Sequence, residues 1–145
     1  MEHHGFSTVD FKVISCIDYT VSKLLEAIDY VAIDGTRYRI PKYQSTDFAS
    51  IPKALWGPPL FLIPTGFWSL PTIAHDAMYR NTMLTVDSDG TMRTANLLRQ
   101  QCDDLCLEMM HSIVPQASLF EKAQMEAIFH GLVFGGWHAF REDRC

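Results

Sequence analysis

The longest apolar stretch of the chain, ALWGPPLFLIPTGFWSL (residues 54–70), is interrupted by Pro58, Pro59 and Pro64 and by two glycines. Proline lacks a backbone N–H, and its ring clashes with the preceding helical turn. The stretch therefore cannot form the helix of about 20 residues that crosses a bilayer. The N-terminus, MEHHGFSTVDFK, also lacks the basic-then-apolar order of a secretion signal. We expect a cytoplasmic protein that is not transmembrane.

The prolines separate two parts of the chain with different patterns. A length of 145 residues is typical of one domain, so we expect residues 1–145 to form a single domain. Within it we predict a β-rich part at residues 8–45, a functional loop at 46–68 and a helical part at 69–140. The predicted fold class is α+β, with a small N-terminal antiparallel hairpin or sheet packed on about three helices.

The β-rich part contains a strong hairpin signal. In YVAIDGTRYRI, two runs rich in β-forming residues flank Asp34-Gly35, a dipeptide that favours tight turns. The segment STVDFKVISCIDYTV predicts a further strand, and its continuation SKLLEAI fits either a strand or a helix.

The helical part begins at Ser69, a good N-cap, with Pro71 in the first turn, and its first helix is predicted to end at about Arg80. The following VDSDGT is predicted to be a surface loop. A second helix is predicted over residues 92–113, because its apolar residues keep helical spacing. These residues are Ala95, Leu98, Cys102, Leu105, Cys106, Met109 and Ile113.

The last helix has a clear start signal. Ser118 and Glu121 form a capping-box pair, and the helix is predicted to reach about Phe140. Pro115 separates it from the second helix.

Charge and cysteine usage exclude some functions. The formal net charge is −5 and the 12 basic residues are scattered, whereas nucleic-acid binding needs a basic patch, so we expect no nucleic-acid partner. Four irregularly spaced cysteines do not form a disulfide framework. Cys102 and Cys106 lie one turn apart on an apolar face, which favours core packing over metal binding.

The first predicted helix carries a polar arc. At 100° per residue, Thr72, His75, Asp76 and Tyr79 fall on one side, opposite an apolar side. On an isolated helix the polar side would face water. The alternative is a reactive site, which requires a partner for His75.

The second helix supplies that partner. By the same rotation, Asp103 borders the apolar stripe while Asp104 faces away. A carboxylate that bonds one ring nitrogen of His75 fixes the tautomer and raises the basicity of the other nitrogen, as a general base requires. We predict that His75, Asp76 and Tyr79 form a network closed by Asp103.

Four segments, TDFASIP (46–52), WGPP (56–59), AHDAMY (74–79) and CDDLCLEMM (102–110), resemble a phage and prophage family called domain of unknown function 1353. Its members typically show a hairpin, a loop like TDFASIP, a His-Asp-x-x-Tyr helix and an aspartate on the next helix. The resemblance runs from about residue 28 to 135. It implies the α+β arrangement given above, with Cys102 where the family usually has alanine.

A second, local resemblance concerns four residues. His-Asp-x-x-Tyr on one helix, with an aspartate on an antiparallel helix, is similar to the phospholipase A2 active site. The resemblance implies that His75 activates water, that Asp76 binds calcium, and that Tyr79 and Asp103 orient His75. Calcium prefers oxygen ligands and can polarise an ester carbonyl. A Ca²⁺ ion or another divalent metal is therefore a candidate cofactor.

The TDFASIP loop offers two more candidates. Asp47 or Ser50 can simply cap a turn before Pro52. Alternatively, Asp47 lies beside Asp76 as a metal ligand, or Ser50 lies near His75 as a nucleophile. For Asp47 we favour a ligand or binding role. Because Ser50 lacks the glycine-lined elbow of nucleophilic serines, we predict a substrate-binding role for it.

Trp56 and Trp68 either cover the core or wall an apolar pocket above His75, which would suit a lipid-like substrate. The residues as a set predict a small hydrolase acting on a small-molecule or lipid-like ester. The alternatives are a metal-free acid-base enzyme, such as a cyclase or isomerase, and a non-enzymatic phage-type structural or host-interaction protein. The sequence leaves the oligomeric state open.

Overall fold

The computed structural model of the chain describes residues 4–15, 22–46, 57–59, 61–62 and 66–135. These residues form an α+β fold in which two antiparallel sheets, mostly N-terminal, pack with three helices, as the sequence predicts. The strands are β1 Gly5–Phe6, β2 Val13–Ser15, β3 Ser22–Leu24, β4 Ile28–Val31, β5 Arg37–Ile40, β6 Ser45–Thr46, β7 Leu84–Val86 and β8 Met92–Thr94. The helices are α1 Ser69–Tyr79, α2 Arg99–Ile113 and α3 Leu119–Gly135.

The strands form a five-stranded sheet in the order β1-β4-β5-β7-β8 and a three-stranded sheet in the order β2-β3-β6. The predicted hairpin around Asp34-Gly35 is confirmed as β4–β5, with Ile28 opposite Ile40. Gly35 has a φ of 89°, a left-handed conformation that glycine adopts without strain. The segment SKLLEAI, which fitted a strand or a helix, contains strand β3, which pairs with β2 and β6.

The second predicted helix is wrong at its start. Residues 92–94 form strand β8, which pairs with β7, and the helix begins only at Arg99. The predicted surface loop VDSDGT is the turn of this hairpin, with Gly90 at a φ of 86°. Asp89-Gly90 is the same turn dipeptide as Asp34-Gly35, so the signal was present in the sequence. Pairing with a neighbouring strand overrode the helical spacing of the apolar residues.

The backbone between β8 and α2 shows how the chain leaves the hairpin and enters the helix. Asn96 has a φ of 51°, which no helical residue adopts, so the helix cannot extend through it. Leu98 is the N-cap and is 70% exposed, although the apolar stripe predicted it to be buried. The Leu98 backbone N–H donates to Gln101 Oε1 at 2.8 Å, which satisfies one of the unpaired donors at a helix start.

Helix α1 begins at Ser69, but Ser69 is not its N-cap. Trp68 occupies the cap position without a side-chain bond, and Ser69 Oγ instead accepts the Gly66 N–H at 2.8 Å. The Ser69 N–H donates back to the Gly66 carbonyl at 3.0 Å. The turn before the helix is thus closed by two hydrogen bonds, and Ser69 becomes the first helical residue.

The capping box of α3 is confirmed. The Ser118 N–H donates to Glu121 Oε1 at 3.0 Å, and the Glu121 N–H donates to Ser118 Oγ at 3.1 Å. The predicted end at Phe140 lies outside the described residues.

Two apolar clusters hold these elements together. The main core joins β3–β5, α1 and α2, and includes Leu24, Tyr30, Ile40 and Ile73. The second core joins α2 and α3 to the segment before α1, and includes Trp68, Cys106, Met110, Met125 and Ile128. Helix α1 therefore lies between the sheets and α2, and all of its residues except Asp76 are buried. None of the helices in the described parts of the chain is long and apolar enough to cross a membrane.

Candidate active site

Helices α1 and α2 bring His75 and Asp103 into direct contact. His75 Nε2 lies 2.6 Å from Asp103 Oδ1. The Tyr79 hydroxyl, one turn further along α1, donates to the same Oδ1 atom at 2.7 Å. The His75 and Tyr79 rings also pack together, with their centroids 4.0 Å apart. Asp103 therefore receives hydrogen bonds from two side chains of the neighbouring helix.

This network is buried rather than solvated. His75, Asp103 and Tyr79 are 4%, 3% and 5% exposed, so the alternative of a water-facing helix side is wrong for His75 and Tyr79. Asp104, which the rotation argument placed on the other side of α2, is exposed. Helical rotation therefore distinguishes the two adjacent aspartates correctly.

The hydrogen-bond pattern assigns the tautomer of His75. An ionised carboxylate can only accept hydrogen bonds, so Nε2 must carry the proton that is shared with Asp103. In the neutral imidazole, Nδ1 then has no proton and can accept one. Nδ1 makes no hydrogen bond to the residues that the structure describes. The arrangement leaves the His75 ring with an oriented, basic nitrogen.

Tyr79 is held in its neutral form. Burial raises the pKa of Tyr79 well above its ordinary value, and the hydrogen bond to the Asp103 carboxylate raises it further. The nearby Arg99 guanidinium acts in the opposite direction, although less strongly. A tyrosine hydroxyl already keeps its proton at neutral pH at its ordinary pKa, and the raised pKa extends this to more alkaline pH, so Tyr79 remains a donor to Asp103.

Asp76 points toward a different partner. Its Oδ2 atom accepts a hydrogen bond from the Thr46 hydroxyl at 2.6 Å, and Thr46 is fully buried. The bond joins α1 to strand β6 at the start of the TDFASIP loop. Thr46 is a site residue that sequence reasoning missed, although it directly precedes the candidate Asp47.

The other candidates divide into two groups. Trp68 is 3% exposed and lies in the second core, as expected if it covers the core. A substrate-binding role for Trp68 stays a prediction. A Cβ atom on Gly66 would lie 2.7 Å from the Trp68 ring, so the indole packs directly over that glycine. Asp47, Ser50 and Trp56 lie outside the described residues.

The cysteines next to the network are core residues, as predicted. Cys102 and Cys106 are fully buried and unpaired with each other. Burial raises the pKa of the Cys106 thiol well above its ordinary value, so the thiol is uncharged at neutral pH. Over the described ranges, no group of three or more His, Cys, Asp or Glu residues could hold a metal ion.

The fold and the site together define an α+β protein built around a buried His–Asp–Tyr network between two packed helices. The chain belongs to the family described as protein of unknown function DUF1353, whose model matches residues 22–130. The match begins at strand β3 and runs through all later strands, α1, α2 and most of α3. Neither a curated protein nor a solved structure matches the chain.

Proposed function

We propose that the protein is a small hydrolase in which His75 is the general base and Asp103 and Tyr79 orient it. The observation that carries the proposal is the pair of short hydrogen bonds on Asp103 Oδ1, from His75 Nε2 at 2.6 Å and from Tyr79 at 2.7 Å. A buried carboxylate in this position stabilises the imidazolium that forms when Nδ1 takes a proton. The arrangement supports acid-base chemistry at Nδ1.

The proposed reaction is hydrolysis of an ester. Water adds to the ester carbonyl carbon while one of its protons passes to Nδ1 of His75. Asp103 stabilises the resulting imidazolium. The imidazolium then returns the proton to the leaving oxygen as the C–O bond breaks, which releases a carboxylic acid and an alcohol. The same base could also abstract a proton from carbon, as in a cyclase or isomerase.

A small lipid-like ester is the proposed substrate class. The support is the local similarity of His75, Asp76, Tyr79 and Asp103 to the phospholipase A2 site. In the described structure, the 2.6 Å contact between His75 and Asp103 is compatible with the orienting role that this analogy gives Asp103. The aromatic residues of the 56–68 segment are the proposed apolar wall of the substrate pocket.

The metal-assisted variant of the proposal places a divalent ion on Asp76 and Asp47. Its support is that Asp76 contacts Thr46, and Asp47 is the next residue in the chain. Calcium requires about six to eight oxygen ligands, and the described residues provide few of them.

We expect calorimetric titration with Ca²⁺, Mg²⁺ and Mn²⁺ to show binding at millimolar ion or tighter, and we expect Asp76→Asn to remove it. The negative charge of the Asp76 carboxylate attracts the ion. The asparagine side chain of the variant has the same shape but no charge. The exposed Asp104→Asn variant is the control and should bind the ion unchanged. Absence of heat at millimolar ion would leave the metal-free reaction as the proposal.

A second candidate follows from the burial of the network. All three side chains are at most 5% exposed, and a buried, well-paired network can serve simply to lock two helices together. The protein would then be a phage-type structural or host-interaction module without catalysis. In that case, losing the network would lower stability and change no reaction.

The two candidates are separated by His75→Gln. We expect it to abolish release of acid from p-nitrophenyl esters and from phospholipid vesicles, a loss of about 10²-fold to 10⁴-fold, because glutamine cannot act as a base. His111→Gln, at an exposed position of α2, should retain full activity. Equal activity of the wild-type protein and the His75→Gln variant, together with a large loss of stability, would favour the structural candidate.

A further inference from the structure

Thr46, the last residue of strand β6, is a fully buried side chain that bonds to α1. Its hydroxyl donates to Asp76 Oδ2 at 2.6 Å. A buried strand position favours valine, which has the shape of threonine without a polar group. A buried hydroxyl, by contrast, costs free energy unless it is hydrogen-bonded. The hydroxyl at this position is therefore explained by the groups that it bonds, which include Asp76.

Asp76 differs from the other residues of α1, because it is the one that is not buried. Water reaches a partly exposed carboxylate, so its charge does not need a protein donor to compensate for desolvation. The bond from Thr46 has a different consequence. It holds one carboxylate oxygen against β6, and a side chain that is anchored at its end retains few of its rotamers. Thr46 therefore determines the orientation of Asp76 more than its solvation.

The geometry of this hydrogen bond is that of a strong one. An ionised carboxylate has only acceptors, so the Thr46 hydroxyl is the donor. The separation of 2.6 Å lies within the range of about 2.5–2.7 Å that is typical of a hydroxyl bonded to a carboxylate ion. Such charge-assisted bonds are roughly twice as strong as bonds between neutral groups. A bond of this kind can hold the Asp76 side chain in place.

A second hydrogen bond connects the same strand segment to the chain that follows α1. Gln44 lies two residues before Thr46, on the same side of the extended chain, and is 5% exposed. Its Oε1 atom accepts from the Thr82 hydroxyl at 2.5 Å, while its Nε2 atom donates to the Ser45 carbonyl at 3.0 Å. Two side-chain bonds thus fix this segment, and the Thr46 hydroxyl meets Asp76 from a rigid support.

We propose that Thr46 is a positioning residue, which fixes the Asp76 side chain in one rotamer and so presents a preorganised carboxylate at the helix position that follows His75. A preorganised group loses less conformational entropy on binding than a mobile one. In the metal-assisted variant of the proposed function, on which this consequence rests, the fixed carboxylate binds a divalent cation more tightly. The orientation of Asp76 itself requires neither an ion nor a substrate.

The test compares Thr46→Val, which keeps the shape and removes the hydroxyl, with Thr46→Ser, which keeps the hydroxyl. Three-bond NMR couplings report the χ1 rotamer of Asp76 in the ion-free protein. We expect one rotamer in the wild-type protein and in Thr46→Ser. We expect averaged couplings in Thr46→Val, because the anchor of Oδ2 is lost. An unchanged single rotamer in a folded Thr46→Val variant would overturn the proposal.

Thr82→Val separates direct positioning from a general loosening of β6. It removes the bond to Gln44 and leaves the Thr46 hydroxyl in place. We expect Asp76 to keep one rotamer in this variant. Averaging as large as that in Thr46→Val would refute the direct role of the hydroxyl.

Thr85→Val is the remote control, because it makes the same chemical change on β7, where the hydroxyl contacts the Arg93 carbonyl at 3.4 Å. It should leave the Asp76 couplings unchanged. If Thr46→Val does not fold, the wild-type protein decides. One Asp76 rotamer, together with a Thr46 hydroxyl proton that is protected from exchange with water, supports the proposal, and averaged couplings refute it.

Calorimetric titration with Ca²⁺ tests the consequence for the proposed function. We expect Thr46→Val to weaken Ca²⁺ binding by about tenfold to a hundredfold, as is typical when a residue that orients a metal ligand is lost. Thr46→Ser should retain most of the affinity. Absence of Ca²⁺ binding by the wild-type protein would refute the metal-assisted variant and leave the NMR result intact. Equal Ca²⁺ affinity of the wild-type protein and Thr46→Val would refute the preorganising role of Thr46 alone.

Discussion

Asp103→Asn is expected to reduce ester hydrolysis by about 10²-fold to 10⁴-fold while the protein remains folded. The asparagine side chain has the same shape, but it has no charge to stabilise the imidazolium that forms on His75. Its amide also offers a donor as well as an acceptor, so the ring is no longer held in the tautomer with the proton on Nε2. Activity on p-nitrophenyl esters and circular dichroism measure the two parts of this expectation.

Asp104→Asn is the matched control, because it makes the same chemical change at the next residue of α2. Asp104 is exposed, whereas Asp103 is buried against α1, so the control should change stability by less than about 0.5 kcal/mol and leave activity unaltered. Equal losses of activity in both variants would contradict the assignment of Asp103 to the network.

Ile73→Ala is expected to lower the free energy of unfolding by roughly 2–5 kcal/mol. Ile73 is fully buried in the middle of α1, where the main core joins the sheet to α2. Truncation to alanine removes apolar contacts and leaves a cavity that the surrounding elements cannot fill completely. Urea unfolding, followed by circular dichroism, gives the change directly.

The control for this change is Ile33→Ala, since Ile33 is 70% exposed near the turn of the β4–β5 hairpin. The same truncation there removes little buried area and should change stability by about 0.5 kcal/mol or less. A loss at Ile73 as small as the loss at Ile33 would mean that α1 is not the central element of the core.

Helical periodicity predicts which side chains share a face of a helix, and at this site the prediction is correct for most of the residues. The spacing of His75 and Tyr79 put both side chains on one face of α1, and the edge of the apolar stripe selected Asp103 over Asp104. Both conclusions hold because helical geometry is local and regular. The same spacing placed Asp76 on the face that carries His75 and Tyr79. That face spans an arc of about 100° around the helix, which is wide enough to contact two neighbouring elements. The Asp76 carboxylate contacts Thr46 on β6.

The sequence missed Arg99 for a different reason. The predicted helix ran from residue 92, so Arg99 fell within its second turn and did not mark the helix start. Its hydrogen bond to the Val133 carbonyl joins residues that are 34 positions apart in the chain. Only the packing of α2 against α3 brings these groups together.

The sequence by itself determined the features that depend on near neighbours along the chain. Examples are the turn at Gly35, the capping box of Ser118 and Glu121, and the side of α2 on which Asp103 lies. The tertiary structure decided the features that depend on distant segments. The start of α2 was set by the pairing of β8 with β7, and the polar face of α1 was buried because α2 carries a carboxylate that satisfies it. Local hydrogen bonds and helical periodicity are encoded within a few residues, whereas strand pairing and the burial of a polar side chain require a partner that only the folded chain provides.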